Sequence, residues 1–302
     1  MRSPILFLIF NRPDTTERVF EEIRNAQPPR LYIAADGARS NRPGEKELCE
    51  KTRSIAQKVD WDCEVKTLFR DENLGCGKAV SQAITWFFDN EPEGIILEDD
   101  ILPHPDFFLY CDELLERYRN NEKVQLITGR NNFFNGYQSD YSYYMSSYFH
   151  VWGWASWRRV WNSYEFDAAR LSKEVFMRKI ESRLPRKGVS YWSAIFDMMS
   201  NHRCDTWDYQ LYFNQILNDR FTIIPYSNLT QNVGFGENAT HTAKTDVRQI
   251  LHKGDKILPL RHPNGIMEDK SADVVHMKNM GLYKRSILSR IFNKLKRTLI
   301  RR

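Results

Sequence analysis

The fold is most constrained by one short segment, which reads Gly-Ile-Ile-Leu-Glu-Asp-Asp over residues 94–100. Its uncharged first part is typical of a strand that is buried on both faces of a parallel sheet. Three carboxylates follow at the C-terminal end, which is the edge where open α/β sheets bind ligands. Adjacent acids repel one another unless a positive group lies between them, and Mg²⁺ or Mn²⁺ carrying a phosphate suits such oxygen ligands. The alternative is a strand that ends in a solvated acidic turn.

Strand and helix patterns alternate through the first half of the chain. Apolar runs predict strands at residues 4–10, 31–35, 65–69, 95–97 and 124–128. Helical patterns lie between them, at residues 13–25, 45–59, 78–88 and 106–118. This alternation predicts the α/β class, with a mostly parallel sheet that is covered by helices on both faces.

The composition favours a folded protein in a reducing compartment. Hydrophobic residues make up 41% of the 302 residues, which is enough for a core. The apolar run at residues 4–10 is too short for a signal-peptide core or a membrane span. Five scattered cysteines form no C-x-x-C pair, which argues against a disulfide framework and a structural zinc site. We therefore expect a cytoplasmic protein.

Polar residues also follow the other strands of the predicted sheet. Arg12 comes after the first strand, and Asp36 and Arg39 come after the second. An arginine there can bind phosphate through its fork of donors, although an Asp-Gly pair is also an ordinary turn. The segment Gly75–Lys78 fails as a Walker A loop, because Glu72 and Ala79 stand where that motif needs Gly and Ser or Thr. A helix start with Lys78 near an anion remains open.

The second half is rich in aromatic residues between positions 131 and 165. Such rings form either core or flat surfaces on which sugars stack. Gly153 separates two tryptophans, which suggests that the backbone passes close to another group. Further on, Asp205 and Asp208 lie on either side of Trp207 and precede a helical run. One of them suits a general base, and the alternative is a helix cap.

In this order, the motifs resemble those of a GT-A glycosyltransferase, similar to the N-acetylglucosaminyltransferase I family and its bacterial relatives. The resemblance spans about residues 1–245. Its most specific part is Leu-Glu-Asp-Asp at 97–100 followed by Pro-Asp-Phe-Phe at 105–108. The other matching segments are the opening strand through Arg12, Asp36, Gly153-Trp154, Trp207-Asp208, Ser227, Phe235-Gly236 and His241.

The resemblance implies a role for each of these positions. Asp100 would bind the metal, Mn²⁺ or Mg²⁺, with His241 as a further candidate ligand, and Asp208 would be the catalytic base. We expect the residues that bind the UDP-sugar donor to be Arg12, Asp36, Arg39, Lys78, Glu98 and Asp99. We expect the residues that contact the acceptor or the sugar to be Gly153, Trp154, Trp207 and Phe235.

The C-terminal segment differs in character from the rest. Residues 274–302 hold nine Lys or Arg and no acid after Asp273, whereas the remainder is net acidic. Apolar residues four apart, at 287, 291, 295 and 299, predict a basic amphipathic helix that lies on an anionic membrane. A partner-binding helix is the alternative, and a nucleic-acid tail is less favoured. We divide the chain into a nucleotide-sugar-binding half (1–130), an acceptor-binding and catalytic half of the same GT-A domain (131–283) and the tail (284–302).

The resemblance thus implies a metal-dependent inverting glycosyltransferase, and the tail pattern predicts its location at the inner face of the cell membrane. It would transfer a hexose, GlcNAc or a related sugar, from a UDP-sugar to a hydroxyl of a growing polysaccharide or a lipid-linked glycan. No nucleic-acid partner is expected. The alternative is a non-catalytic protein on a GT-A scaffold that binds sugars or associates with membranes. Loss of Asp100 or Asp208 would have favoured it, and both are present.

Overall fold

A computed structural model describes residues 1–133, 137, 139–234, 256–266 and 268–282. The strands are β1 (Ile5–Ile9), β2 (Arg30–Ala35), β3 (Glu64–Phe69), β4 (Glu93–Glu98), β5 (Ile101–Pro103), β6 (Val124–Thr128), β7 (Tyr143–Ser146), β8 (Trp154–Trp157), β9 (Phe221–Pro225) and β10 (Thr230–Asn232). The helices are α1 (Pro13–Ala26), α2 (Glu45–Ala56), α3 (Cys76–Asn90), α4 (Pro105–Tyr118), α5 (Arg158–Trp161), α6 (Lys173–Glu181), α7 (Arg186–Ser200), α8 (Asp208–Leu217) and α9 (Lys270–Asn279), with a short 3₁₀ turn at Ala168–Arg170.

Eight strands form one sheet in the order β3-β2-β1-β4-β8-β6-β9-β7. Strands β1 to β4 are mutually parallel, and β6 and β9 are also parallel to each other. Strands β7 and β8 run antiparallel to their neighbours. Strands β5 and β10 pair separately as a short antiparallel ribbon. The α/β class is confirmed, and the arrangement is a Rossmann-like sheet that is consistent with a GT-A fold.

Helices cover both faces of the sheet, because successive residues of each strand point to opposite sides. Phe7 of β1 packs with the buried sides of α1, α2 and α4. Leu6 of the same strand packs on the other face with α3 and with Leu211 of α8. This burial on both faces explains why β1 is apolar throughout and why the four central residues of β4 carry no charge.

The two halves of the chain share this sheet. Strand β8, from the second half, lies between β4 and β6, which both come from the first. Its reversed direction brings its first residue, Trp154, opposite Ile96 of β4 and Thr128 of β6. The segment that precedes Trp154 therefore lies at the same edge of the sheet as the acids that follow β4.

A third core lies outside the sheet, among α6, α7, α8 and α9. Its largest buried members are aromatic, including Phe176, Trp192 and Tyr212. In the described part of the chain, no helix has the length and apolarity needed to cross a bilayer. The predicted basic tail lies outside the described residues.

Candidate active site

The acidic segment after β4 is tied to the end of β1. Asp99 accepts a hydrogen bond from the backbone N–H of Phe10 at 2.9 Å. Asp100 forms an ion pair with Arg12. A Cβ atom on Gly234 would lie 2.3 Å from Oδ2 of Asp100 and 2.7 Å from Nη1 of Arg12. Only a glycine therefore lets the chain after β10 pass over this ion pair.

Among the described residues, the acids around Asp100 outnumber the cations that act on them, and the pKa values of these acids are raised. Burial, together with the charge of Asp100, raises the pKa of Asp99 to about 7. Burial raises the pKa of Glu98 well above its usual range, and the negative charges of Asp100, Asp99 and Asp208 add to the effect. Arg12 offsets only part of this repulsion. A further cation would relieve it.

Asp208 shares this site although it lies 108 residues further along the chain. It is the first residue of α8, and its carboxylate accepts a hydrogen bond from the hydroxyl of Thr206. Its charge acts on both Glu98 and Cys76. The structure thus brings the predicted base beside the predicted metal and donor residues.

Asp36 organises the loop in front of α3. Its carboxylate accepts hydrogen bonds from the backbone amides of Gly37, Leu74 and Gly75, at distances of 3.0 to 3.2 Å. Burial raises the pKa of Asp36, and these amides oppose that shift. The predicted donor contact of Asp36 remains a prediction, and its hydrogen bonds to three backbone amides make it a residue that positions the loop.

Asp205 caps α3 from across the fold. Its two carboxylate oxygens accept the backbone amides of Cys76 at 2.9 Å and Gly77 at 2.8 Å. The anion at this helix start is therefore a side chain of the protein itself. Asp205 is one of the two candidates for the base, and the alternative is a cap of the helix that follows it. Both of its oxygens accept hydrogen bonds from amides of α3, so Asp205 caps a helix distant in sequence and not α8.

Arg39 is held by an acid that the sequence did not single out. Glu45, at the start of α2, forms an ion pair with Arg39 and accepts the side-chain amide of Asn11 at 2.9 Å. Arg39 lowers the pKa of Glu45. The predicted donor contact of Arg39 is not tested by this arrangement. Glu45 was missed because nothing in a helix start with several acids distinguishes it.

The two tryptophans that are predicted to contact the sugar are both buried. Trp154 and Trp207 are 1% and 3% exposed, and their rings stack on each other with centroids 5.7 Å apart. Their faces pack against each other in the core, and the sugar contact of these residues stays a prediction. Gly153 has a φ of +73°, and a Cβ there would lie 2.6 Å from Cγ2 of Thr230. The close neighbour of this backbone is therefore a side chain of the same protein.

Lys78 is exposed on the first turn of α3. It lines a cavity of about 310 Å³ together with Phe166, His202, Asp205 and Gln210. This cavity lies beside Thr206, the residue that hydrogen-bonds Asp208. Two further predicted site residues, Phe235 and His241, lie outside the described residues.

The acids of this site suit a divalent metal that carries its own phosphate ligands. Among the residues that the structure describes, no three His, Cys, Asp or Glu side chains gather as a ready-made metal cage. Mg²⁺ in nucleotide sites needs no such cage, because one or two carboxylates and the phosphates of the substrate suffice. The excess of acids around Asp100 therefore fits a metal that arrives together with a diphosphate.

Comparisons with known proteins add no family. No protein-family model matches the chain, and no curated protein matches it either. Among solved structures, HddC from Yersinia pseudotuberculosis is 12% identical with a TM-score of 0.29, covering 42% of this chain and 57% of its own. Mouse xyloside xylosyltransferase 1 is 10% identical with a TM-score of 0.34, covering 72% and 81%. GlyE of Streptococcus pneumoniae TIGR4 is 11% identical with a TM-score of 0.31, covering 66% and 44%.

The chain spans less than two thirds of the length of HddC. Likenesses this slight carry no conclusion about what the protein does.

Proposed function

We propose that the protein is a metal-dependent glycosyltransferase that transfers a sugar from a nucleotide-sugar donor to a hydroxyl group. The observation that supports this most is the convergence of Asp208 with Glu98, Asp99 and Asp100 at the carboxyl edge of the parallel strands. Carboxylates gathered at that edge suit a nucleotide whose phosphates bring a metal. An acid on a different element, facing the same site, suits proton abstraction from an acceptor.

The proposed reaction is a single displacement with inversion at the anomeric carbon. The acceptor hydroxyl gives its proton to Asp208 while its oxygen forms a bond to the anomeric carbon. The bond from that carbon to the diphosphate oxygen breaks, and the nucleoside diphosphate leaves with the electron pair. Bound Mn²⁺ or Mg²⁺, held by Asp100, would supply charge stabilisation for the leaving diphosphate. Arg12, which is paired with Asp100, would orient that carboxylate and face the phosphates.

UDP as the nucleotide, a hexose such as GlcNAc as the sugar, and a polysaccharide or lipid-linked glycan as the acceptor all belong to this proposal. So does attachment of residues 284–302 to the cytoplasmic face of an anionic membrane. Support for the membrane part is the sequence pattern of the tail, in which apolar residues at helical spacing alternate with Lys and Arg.

The experiment compares two neighbouring aspartates. UDP release from UDP-GlcNAc and UDP-glucose is measured with Mn²⁺ for the wild type, Asp208→Asn and Asp205→Asn. We expect Asp208→Asn to lose about 10²- to 10⁴-fold in rate, because an amide cannot accept the proton. Asp205→Asn keeps its rate within about tenfold at a temperature where it is folded, because the role of Asp205 is to cap α3.

Calorimetry with UDP tests the metal part separately. Binding should require Mn²⁺ and should disappear with a chelator, and Asp100→Asn should abolish that dependence. Equal UDP affinity with metal and with chelator would reject the metal. A fully active Asp208→Asn variant would reject Asp208 as the base.

A further inference from the structure

A second polar cluster lies at the same sheet edge and takes no part in the site described above. Arg130 follows β6, and the backbone there is fixed by two hydrogen bonds. The N–H of Arg130 donates to Oγ1 of Thr128 at 3.2 Å, and the N–H of Gly129 donates to the carbonyl of Gly153 at 2.8 Å. The side chain of Arg130 is nevertheless only 4% exposed.

The guanidinium of Arg130 is buried without a counter-ion. Its Nη1 has no hydrogen-bond partner, and no acid among the described residues forms an ion pair with it. Its one described contact is the ring of Trp152, whose centroid lies 4.0 Å from Cζ. Burial lowers the pKa of Arg130 to about 9, so the group still carries its charge at neutral pH. A buried charge without a partner is costly, and folded proteins normally avoid it.

Other arginines of this chain, most of them half-buried, show how unusual this is. Arg159 donates to three backbone carbonyls. Arg158 also donates to backbone carbonyls, and Arg220 donates to the hydroxyl of Ser163. Arg30 forms a two-point ion pair with Glu91. Arg53 and Arg183 each have one buried nitrogen without a partner as well, but both donate through Nη2. Among the described residues, no acceptor is found for the guanidinium of Arg130.

Two histidines adjoin Arg130, and one of them has a ring nitrogen without a partner. The Nε2 atom of His150 is buried without a hydrogen-bond partner. The ring of His276, on α9, lies 5.0 Å from that of His150 and stacks on Tyr148 at 4.6 Å. Burial lowers the pKa of His150 and that of His276, the latter to about 3, and the charge of Arg130 adds to both shifts. The cluster is thus built from basic groups with no described carboxylate bound to them.

We propose that Arg130 and His150, backed by His276 and Trp152, form a binding site for an oxyanion of the substrate, a phosphate or a carboxylate. A guanidinium presents a planar set of donors that matches such a group, and an imidazole N–H adds one more. Trp152 holds the guanidinium plane through its ring. The site lies at the edge where the acids of β4 also lie, because β8 joins β4 and β6 there.

The oxyanion has two candidate sources, and naming them rests on the proposed function. It belongs either to the diphosphate of the donor or to a charged group on the acceptor, such as a sugar phosphate or a uronic acid. The experiment measures binding to the full chain by calorimetry, with UDP and Mn²⁺, pyrophosphate, glucose 6-phosphate and glucuronate as probes and glucose as the neutral reference. The variants are Arg130→Gln and the matched control Arg178→Gln, which removes an exposed arginine from α6.

We expect at least one oxyanion to bind Arg130→Gln more than tenfold more weakly than the wild type, while Arg178→Gln binds it normally. Loss of UDP binding assigns the oxyanion to the donor. Retained UDP binding with loss of glucose 6-phosphate or glucuronate binding assigns it to the acceptor. Because the substitution removes a buried charge without a partner, the ligand-free variant should unfold at the same temperature as the wild type or higher.

The proposal is overturned if every probe binds Arg130→Gln as it binds the wild type, or if none binds either protein. It is also overturned if the variant loses stability and binding is unchanged, since Arg130 would then serve only to pack on Trp152. Should Arg130→Gln fail to fold, His150→Gln replaces it and is held to the same tenfold criterion. Binding is measured without turnover, so a failure of the transferase proposal leaves this result readable.

Discussion

Replacing Asp205 with alanine should destabilise the start of α3, although the two lie 128 residues apart. The wild-type carboxylate accepts the amides of Cys76 and Gly77, two of the groups that have no partner within the helix. It also places a negative charge at the positive end of the helix dipole. Alanine removes both contributions and leaves the two amides to water.

The magnitude follows from the geometry. Loss of an N-cap costs about 0.5–2 kcal/mol, and the interaction of a charge with the helix dipole adds about 0.3–1 kcal/mol. Asp205 is exposed, so solvent compensates part of this loss. We therefore expect the free energy of unfolding to fall by about 1–2 kcal/mol, which corresponds to a melting temperature lower by roughly 2–5 °C in a chain of this size.

Urea unfolding, followed by circular dichroism, measures this change. The control is Asp62→Ala, which removes the same charge from an exposed position, and it should stay within about 0.5 kcal/mol of the wild type. Gly77→Ala gives a second test, because its Cβ would lie 2.7 Å from Oδ1 of Asp205. Its cost should be smaller in the Asp205→Ala background, with a coupling energy of about 0.5 kcal/mol or more. The cap would be refuted if Asp205→Ala and Asp62→Ala were equally stable and if the effects of Gly77→Ala and Asp205→Ala on the free energy of unfolding simply added in the double variant.

Three further perturbations test other parts of the structure. Burial raises the pKa of Asp273 to about 7, against 3.8 for a free aspartate, so the folded state binds the proton more tightly and stability falls as pH rises through this range. Asp273→Asn should therefore match the wild type near about pH 4 and exceed it by roughly 2–4 kcal/mol near pH 8 in urea titrations; a constant difference would contradict this. Gly234→Ala should weaken metal-dependent UDP binding by about tenfold or more in calorimetry, because its Cβ meets the carboxylate of Asp100; unchanged affinity would separate this loop from the site. A chain that ends at Tyr283 should lose sedimentation with anionic vesicles and keep UDP binding, and equal sedimentation would reject the tail as the anchor.

The first half of the fold was predictable because its signals are local. Strands β1, β2 and β4 are short and mostly apolar, whereas the edge strand β3 is mixed in composition. Each helix between these strands begins near a Pro or Gly that marks its start. The common edge of Arg12, Asp36 and the acids after β4 then follows from the parallel pairing of these strands. The order of the elements along the chain is therefore enough to place these residues at one edge.

The remainder depends on contacts between distant segments. The reversed direction of β8 and its position between β4 and β6 depend on packing against distant segments. Trp154 and Trp157 are both buried, and the short sequence of this strand does not indicate its neighbours. Asp205 and Asp208 are the same residue type three positions apart, and only their contacts in the folded structure distinguish their roles. Asp205 meets two helix amides, whereas Asp208 meets Thr206 and the charge of Glu98.

Two opposite charge imbalances persist at one edge of the sheet, and they do not neutralise each other. Burial and the charge of Asp100 raise the pKa of Asp99 to about 7, and Arg12 and the backbone amide of Phe10 offset only part of this shift. Arg130 has no described anion, and burial lowers its pKa to about 9. If the two groups existed for stability, an ion pair between them would relieve both penalties, as Arg30 and Glu91 do elsewhere. Their separation instead fits a substrate that supplies a cation to one group and an oxyanion to the other.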